Sequence, residues 1–419
     1  MLRGVGLKDM VPRPLKRRRQ CTPHNNAGRP LREVRLARRR RRRYSKAFAT
    51  FLETDAELSR AGLERRTDAH GGTGLFASRD LPSGFAIRLP RRFVLGRTVA
   101  MKTRLGRRIE SLALSDEELL CTMLADACFY DTHNSPFGAF ARSLAADAPD
   151  AANWPASDLS LLEGTDLGVK LSGEDASLTL LRARLHSCGV HIEVGHLRWA
   201  RGMWRSRAFG RASTDDDDND ESVLDPEIAR ACEPAFCPLF DLLNHSDTAE
   251  VAFDATSNKL VLSNEAPLKR GEEAFNSYGE GLPNEELLSD YGFTRARNPH
   301  DSATLVLKSV GPLLVAQDGA FSEKITSQLA HEHRRETGEL ARELQRAIRL
   351  KLAALDVDHG ALNGEDSHQH GASDRAVLAS RHYRDGVKRA LRAALSRLPR
   401  HRAEATEGPT KKMKRLGAV

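Results

Sequence analysis

Two polar side chains, Asn244 and His245, directly follow the apolar run Leu239-Phe240-Asp241-Leu242-Leu243. Two strong hydrogen-bonding groups thus stand at the end of an element that ought to be buried. Buried polar groups need partners, so this end faces a ligand or another segment of the chain. Downstream, two tyrosines sit beside glycines, Tyr278 in F-N-S-Y-G and Tyr291 in D-Y-G-F, with Phe293 closing the second motif. A tyrosine ring can wall a slot, and its hydroxyl can hydrogen-bond a ligand without adding a competing nucleophile. The plainer alternatives are an ordinary strand tyrosine for Tyr278 and ordinary core packing for Phe293.

The elements that must position these groups begin far upstream. Gly71-Gly72-Thr73-Gly74-Leu75-Phe76-Ala77 leads through Arg79-Asp80-Leu81-Pro82-Ser83-Gly84 to Ile87-Arg88-Leu89-Pro90. This reads as strand, proline-containing turn and strand, with glycines where the backbone bends or lies close to something. Trp204-Arg205-Ser206-Arg207-Ala208-Phe209 ends a long helical stretch, and Tyr383-Arg384-Asp385-Gly386-Val387-Lys388-Arg389 lies in the last helix. The order of these four motifs resembles SET-domain methyltransferases, and in particular the subgroup related to the Rubisco large-subunit lysine methyltransferase.

That resemblance implies an α+β fold: a mostly β SET domain over 45–295, split by a helical insertion over about 97–205, then a helical substrate-binding region over 296–419. It implies transfer of a methyl group from S-adenosylmethionine to a lysine side chain of a protein. Such a transfer is an in-line displacement at a sulfonium carbon, so the protein must supply alignment, a neutral amine and exclusion of water. A free lysine titrates at about 10.4, and a narrow, partly desolvated channel favours its uncharged form.

By motif position Tyr278 matches the catalytic tyrosine, with Tyr291 beside the channel. Asn244 and His245 match the cofactor-binding pair, Arg207 a cofactor-contacting arginine, and Gly72, Thr73 and Gly74 the turn whose backbone approaches the cofactor. Phe293 would stack near the adenine, and Asp241 is placed to orient Arg207 or a backbone amide. The alternatives are structural: Asn244 and His245 tying a threaded segment to its neighbour strand, Arg207 merely solvated or salt-bridged.

Two departures stand out. Many relatives carry another channel tyrosine soon after N-H-S, where Val251-Ala252-Phe253 has no hydroxyl, and the C-terminal region is short. Methylation of histidine, a SET-fold binding module without activity, and a nucleic-acid binder driven by charge stay open as rival readings.

Composition bounds these readings. The chain has 419 residues, enough for two or three domains each with its own core, and a mean hydropathy of −0.49 with no apolar run of membrane-spanning length. Six cysteines (Cys21, Cys121, Cys128, Cys188, Cys232, Cys237) make no disulfide framework at this size, which favours a reducing compartment. The zinc-binding cysteines that some SET enzymes carry are missing after Tyr291. The group His186, Cys188, His191 and His196 fits no zinc spacing, nor does the pair His368 and His370, so no metal is expected.

The net charge of +8 is concentrated: residues 1–45 carry sixteen Arg or Lys against Asp9 and Glu33, which leaves the remainder mildly acidic. Clusters such as Lys16-Arg17-Arg18-Arg19 and Arg38 to Arg43 cannot enter a core. The basic tail over 1–44 reads as a nuclear import signal, with an organelle transit peptide, a cytoplasmic tail without a role and a nonspecific nucleic-acid arm as alternatives. A second charged segment, the acidic loop over 211–230, reads as solvated.

Apolar spacing predicts a helix over 44–64, strands over 70–95 and a helix opened by the capping box of Ser115 and Glu118. Further helices are predicted over 175–185 and 194–209, strands over 250–254, 260–263 and one ending at Tyr278, and a short helix from Asn284. Beyond Arg295 the pattern predicts helices. One carries Leu340, Leu344, Ile348 and Leu352, the other Val387, Leu391, Ala394, Leu395 and Leu398, with a loose link over 356–373 between them.

Overall fold

A computed structural model describes residues 48–52, 55–68, 72–131, 135–144, 147–210, 233–255, 259–334, 338–356 and 372–399. The basic tail, the acidic loop over 211–230, nearly all of the 356–373 link, Cys21, Cys232, His368 and His370 lie outside these residues.

Residues 48–52 are helical and α1 spans Ala56–Ala61, so the helix predicted over 44–64 ends early. Gly62 terminates α1 at φ +78°, a conformation that favours glycine, and strand β1 (Leu63–Thr67) follows. L-E-R-R-T has one apolar residue and no strand signature of its own. It becomes a strand because β2 (Thr73–Ala77) pairs with it antiparallel from Leu63↔Ala77 to Thr67↔Thr73. Strand β3 (Phe85–Pro90) follows the proline turn as predicted, and β4 (Leu95–Gly96) ends the first half of the fold.

A run of helices follows, α2 (Arg97–Met101), α3 (Arg104–Ile109), α4 (Asp116–Phe129), α5 (Gly138–Ser143), α6 (Asp166–Ser187) and α7 (Val194–Arg207), which we call the insertion. Both halves of the capping box form: Ser115 Oγ accepts from Glu118 N at 3.2 Å, and Glu118 Oε2 accepts from Ser115 N at 3.0 Å. Helix α6 starts earlier than predicted because Thr165 Oγ1 caps it, accepting from Gly168 N at 3.0 Å.

After the insertion come β5 (Ala208–Phe209), β6 (Ala235–Phe236), β7 (Asn244–His245), β8 (Val251–Ala255), β9 (Lys259–Asn264) and β10 (Glu273–Asn276). Their sheets run β4-β6-β5, β3-β9-β8 and β1-β2-β10-β7. Every one of these sheets joins strands from both sides of the insertion, so a helical block can interrupt the sequence without interrupting the fold. The pair β7–β10 is parallel, with Phe275↔Asn244 and Asn276↔His245. Strand β10 ends at Asn276, which leaves Tyr278 in the turn beyond it rather than in the strand.

Helix α8 (Asn284–Tyr291) closes this part. The expectation of helices alone beyond Arg295 is corrected by a hairpin, β11 (Ser302–Leu307) with β12 (Gly311–Ala316). Ala303, Leu305 and Leu307 point inward and alternate with Thr304 and Val306, a period-two pattern too short to compete with the long helical stripes that follow. Those stripes belong to α9 (Glu323–Arg334), α10 (Glu339–Leu355) and α11 (Asp374–Arg397).

Two cores result. The first joins the sheets of β1 to β10 to α4, α6 and α7. The second joins the hairpin, α10 and α11, drawing in Leu162 and Leu167 from the insertion and Leu288 from α8. Leu340, Leu344 and Ile348 meet Val387, Leu391 and Ala394 there, as their spacing predicts. Among the described residues no helix is long and apolar enough to cross a membrane.

Candidate functional site

The chain reaches Asn244 through a tight bend. Leu239, fully buried, takes φ +78° and ψ −37°, a conformation that costs a non-glycine residue roughly 1–3 kcal/mol. A single turn, Phe240–Leu242, follows, and it carries Asp241 beneath the end of α7. There Arg207 Nη1 donates to both Asp241 O and Asp241 Oδ2 at 3.1 Å. Burial pushes the Asp241 carboxyl up, and the Arg207 guanidinium opposes that rise. Arg207 Nε is buried without a partner among the described residues.

Asn244 Nδ2 donates to Asp68 Oδ2 at 3.0 Å and to Glu273 Oε1 at 2.7 Å. Both carboxylates only accept, so the amide nitrogen faces them and Oδ1 stays available to a ligand. Asp68 Oδ1 also accepts from Gly72 N at 2.9 Å. Gly74 passes so close that an added Cβ would lie 2.2 Å from Glu273 Oε1 and 3.1 Å from Asn244 Nδ2. Thr73 is exposed at the start of β2.

Tyr278 is held at three points. Its N–H donates to His245 Nδ1 at 3.1 Å, its hydroxyl donates to Leu243 O at 3.1 Å, and its ring stacks on Tyr291 with centroids 4.4 Å apart. Burial pushes the phenol far above its usual range, so it stays protonated at neutral pH. Tyr291 ends α8, and Gly292 reverses the chain at φ +70°. A Cβ at Gly292 would lie 1.6 Å from Pro149 O, so the insertion packs against a backbone only glycine allows. The reversal returns Phe293 to within 6.2 Å of the His245 ring and 6.3 Å of Tyr291.

The structure therefore gathers Gly72, Thr73, Gly74, Asn244, His245 and Tyr278 around one sheet, with Tyr291 and Phe293 against the same cluster and Arg207 with Asp241 beneath the bend. Sequence reasoning missed Asp68 and Glu273, which anchor Asn244, and Asp247 and Arg295, which hold His245. Asp68 shows in the sequence only as an acid shortly before the glycine-rich turn, and Glu273 only as one acid of the turn after Arg270.

Phe253, in the stretch without a hydroxyl, meets Phe240 edge to face at 6.2 Å. Among the described residues no three His, Cys, Asp or Glu side chains are grouped to hold a metal ion. His186 and His191 stand edge to face at 4.5 Å, and His196 stacks on Phe129 while bonding Tyr130. Two surface depressions lie elsewhere, about 340 Å³ over α6 near Arg182 and about 460 Å³ beside Val310 and His331.

No family model matches the sequence. The chain is 33% identical over 101 residues to SET domain-containing protein 4 of Mus musculus and 30% identical over 96 residues to the N-lysine methyltransferase setd6 of Salmo salar. It is 35% identical over 75 residues to the ribosomal lysine N-methyltransferase set10 of Schizosaccharomyces pombe. These matches span 23%, 20% and 14% of the three relatives' lengths, less than a quarter of each.

The structure superimposes on Rubisco LSMT bound to AdoMet with a TM-score of 0.64 at 16% identity, covering 84% of this chain and 91% of that one. It matches the SET domain of LSMT bound to lysine and AdoHcy with a TM-score of 0.63, covering 90% of that chain. The chain thus shares the fold of Rubisco LSMT and its SET domain.

Proposed function

We propose that this chain transfers a methyl group from S-adenosylmethionine to a lysine side chain of a protein. The observation that carries the reading is the stacked pair Tyr278–Tyr291 standing directly beside Asn244 and His245, in a fold whose solved examples include complexes of LSMT with AdoMet and with lysine. Relatives named as lysine methyltransferases support the same class of substrate.

The residues fit the cofactor. Asn244 Oδ1 beside the carboxylates of Asp68 and Glu273 suits an ammonium, and the unpartnered Nε of Arg207 suits a carboxylate, the two charged ends of an amino acid. The Gly72–Gly74 edge, bare of side chains but for Thr73, allows close backbone approach, and Phe293 offers a ring face for the adenine. S-adenosylmethionine, when bound, supplies a methyl group already activated on a sulfonium.

What the chain must do is align a neutral amine. The chain's own part would be to hold the lysine nitrogen so that its lone pair faces the methyl group that the bound cofactor would supply. Tyr278 cannot act as a base while its phenol stays protonated, and its hydroxyl hydrogen is held by Leu243 O. Its free oxygen lone pair can therefore accept from the amine and aim it. The stacked Tyr291 ring walls the approach and excludes water.

The test is incubation of the protein with labelled S-adenosylmethionine and a cell lysate, followed by mass spectrometry of the modified residues, beside calorimetry for the cofactor alone. Label on lysine with measurable heat of binding is expected. Label on histidine would change the substrate, and a folded protein that binds the cofactor yet labels nothing would make it a binding module.

A further inference from the structure

The His245 side chain is 5% exposed, and its two ring nitrogens face opposite demands. Nδ1 receives the Tyr278 backbone N–H at 3.1 Å, and a backbone N–H can only donate, so Nδ1 carries no proton. Nε2 lies 3.0 Å from Asp247 Oδ1, which only accepts, so Nε2 carries the proton. The neutral Nε2–H tautomer is the form that satisfies both contacts.

The support for Asp247 extends well beyond the site. Its other oxygen pairs with Arg295. Arg295 is pinned at both backbone groups by Asn284, whose Oδ1 accepts from Arg295 N at 2.7 Å and whose Nδ2 donates to Arg295 O at 2.9 Å. Asn284 gives its N and Nδ2 to the buried Asp301 at 3.0 and 3.2 Å. Asp301 also takes Arg389 Nη2 of α11 at 3.2 Å. A continuous set of polar contacts thus runs from the C-terminal helix to the Tyr278 amide.

We propose that Asp247 and Arg295 are positioning residues, Asp247 fixing His245 in its Nε2–H form and Arg295 keeping the ring neutral against that carboxylate, so that Nδ1 fixes the Tyr278 backbone, and that protonation of His245 releases Tyr278. A protonated ring would turn a donor toward the Tyr278 N–H and break the contact. Among the described residues the charged groups facing the ring are Asp247 from the turn after β7 and Arg295 from the segment after α8, with the rings of Tyr278 and Phe293 beside it. Burial lowers the proton affinity of His245, Asp247 opposes that and Arg295 reinforces it. The consequence for catalysis rests on the proposed role of Tyr278, whereas the tautomer does not.

The two therefore separate in one experiment, nitrogen-15 NMR of the full chain with labelled histidine, the resonances assigned by their loss in His245→Gln. The expected pattern is a bare Nδ1 and a protonated Nε2 at neutral pH, with the Tyr278 amide shifting at the same midpoint as the ring. Arg295→Gln should move that midpoint up and Asp247→Asn should move it down, opposite signs that general loss of packing does not produce. The acid limb of methyl transfer, falling about tenfold per pH unit below the midpoint, should move in the same order. An Nδ1–H tautomer, midpoints that shift the same way in both variants, or a Tyr278 amide that ignores the titration would overturn the proposal. Absence of methyl transfer with the expected NMR pattern would instead count against the proposed function.

Discussion

Tyr278 and Tyr383 each stand where distant segments meet, and their surroundings differ in what they leave open. Tyr383 is 2% exposed; its hydroxyl donates to Glu285 Oε2 at 2.9 Å and accepts from Leu167 N at 3.3 Å. Beside it, Arg384 donates to the carbonyls of Leu161, Glu163 and Leu355. Gly386 admits Asp301 to 2.0 Å from where a Cβ would sit. The Y-R-D-G motif thus seals the C-terminal region to the insertion.

At the β7–β10 joint, Tyr278 keeps a lone pair for a ligand, Asn244 keeps Oδ1, and Arg207 Nε has no partner among the described residues. The same resemblance picks out both motifs, so it alone does not separate a sealed tyrosine from one left open to a ligand. Residual hydrogen-bonding capacity does.

The comparison breaks first at the sealed joint. Arg384→Met strands buried carbonyls and should cost about 3–5 kcal/mol in chemical denaturation, while cofactor affinity of the fraction that stays folded is unchanged. A variant of undiminished stability would mean that the motif does not hold the two regions together.

Between the joints lies Asp150, wholly buried, flanked by Pro149 against Gly292 and by Ala151 in the second core. Its Oδ1 accepts from Asn153 at 2.7 Å, and its Oδ2 has no partner among the described residues. Burial raises its carboxyl to about 7, with the Asn153 bond opposing. The folded state therefore binds this proton more tightly than the unfolded chain, in which the group titrates near about 3.9. Stability is greatest below about pH 4 for this group and declines as pH rises to about 7, by up to about 1.4 kcal/mol per pH unit. Asp150→Asn should flatten that slope in denaturation curves at pH 5 and pH 7, and an unchanged slope would assign it to other groups.

Much of the site was legible because its signals are local. The capping box at Ser115, the Asn244-His245 pair and the short helix leading to Tyr291-Gly292-Phe293 each announce themselves within a few residues. Strand β1 and the β11–β12 hairpin were missed for the opposite reason: L-E-R-R-T is a strand by virtue of β2, and S-A-T-L-V-L is outweighed by the helices after it. Asp68 and Glu273 were illegible because their meeting with Asn244 depends on the β2-β10-β7 order. Gly292 is obligatory because of Pro149, more than a hundred residues away in sequence.

The smallest effect belongs to the basic tail. Removing residues 1–44 should leave the melting temperature and the rate on a short peptide unchanged, since such a charge run contributes no core. A reporter carrying those residues should enter the nucleus, and replacing Arg38 to Arg43 with glutamine should stop it. Accumulation in a plastid or mitochondrion would show a transit peptide instead.

The central claim is that Tyr278 aims the amine while Tyr291 walls its path, and parallel kinetics of Tyr278→Phe and Tyr291→Phe test it most directly. Tyr278→Phe should lower methyl transfer about a hundredfold, with S-adenosylmethionine affinity by calorimetry nearly unchanged, and Tyr291→Phe should retain most of the rate. Full turnover in Tyr278→Phe with loss in Tyr291→Phe would contradict the account.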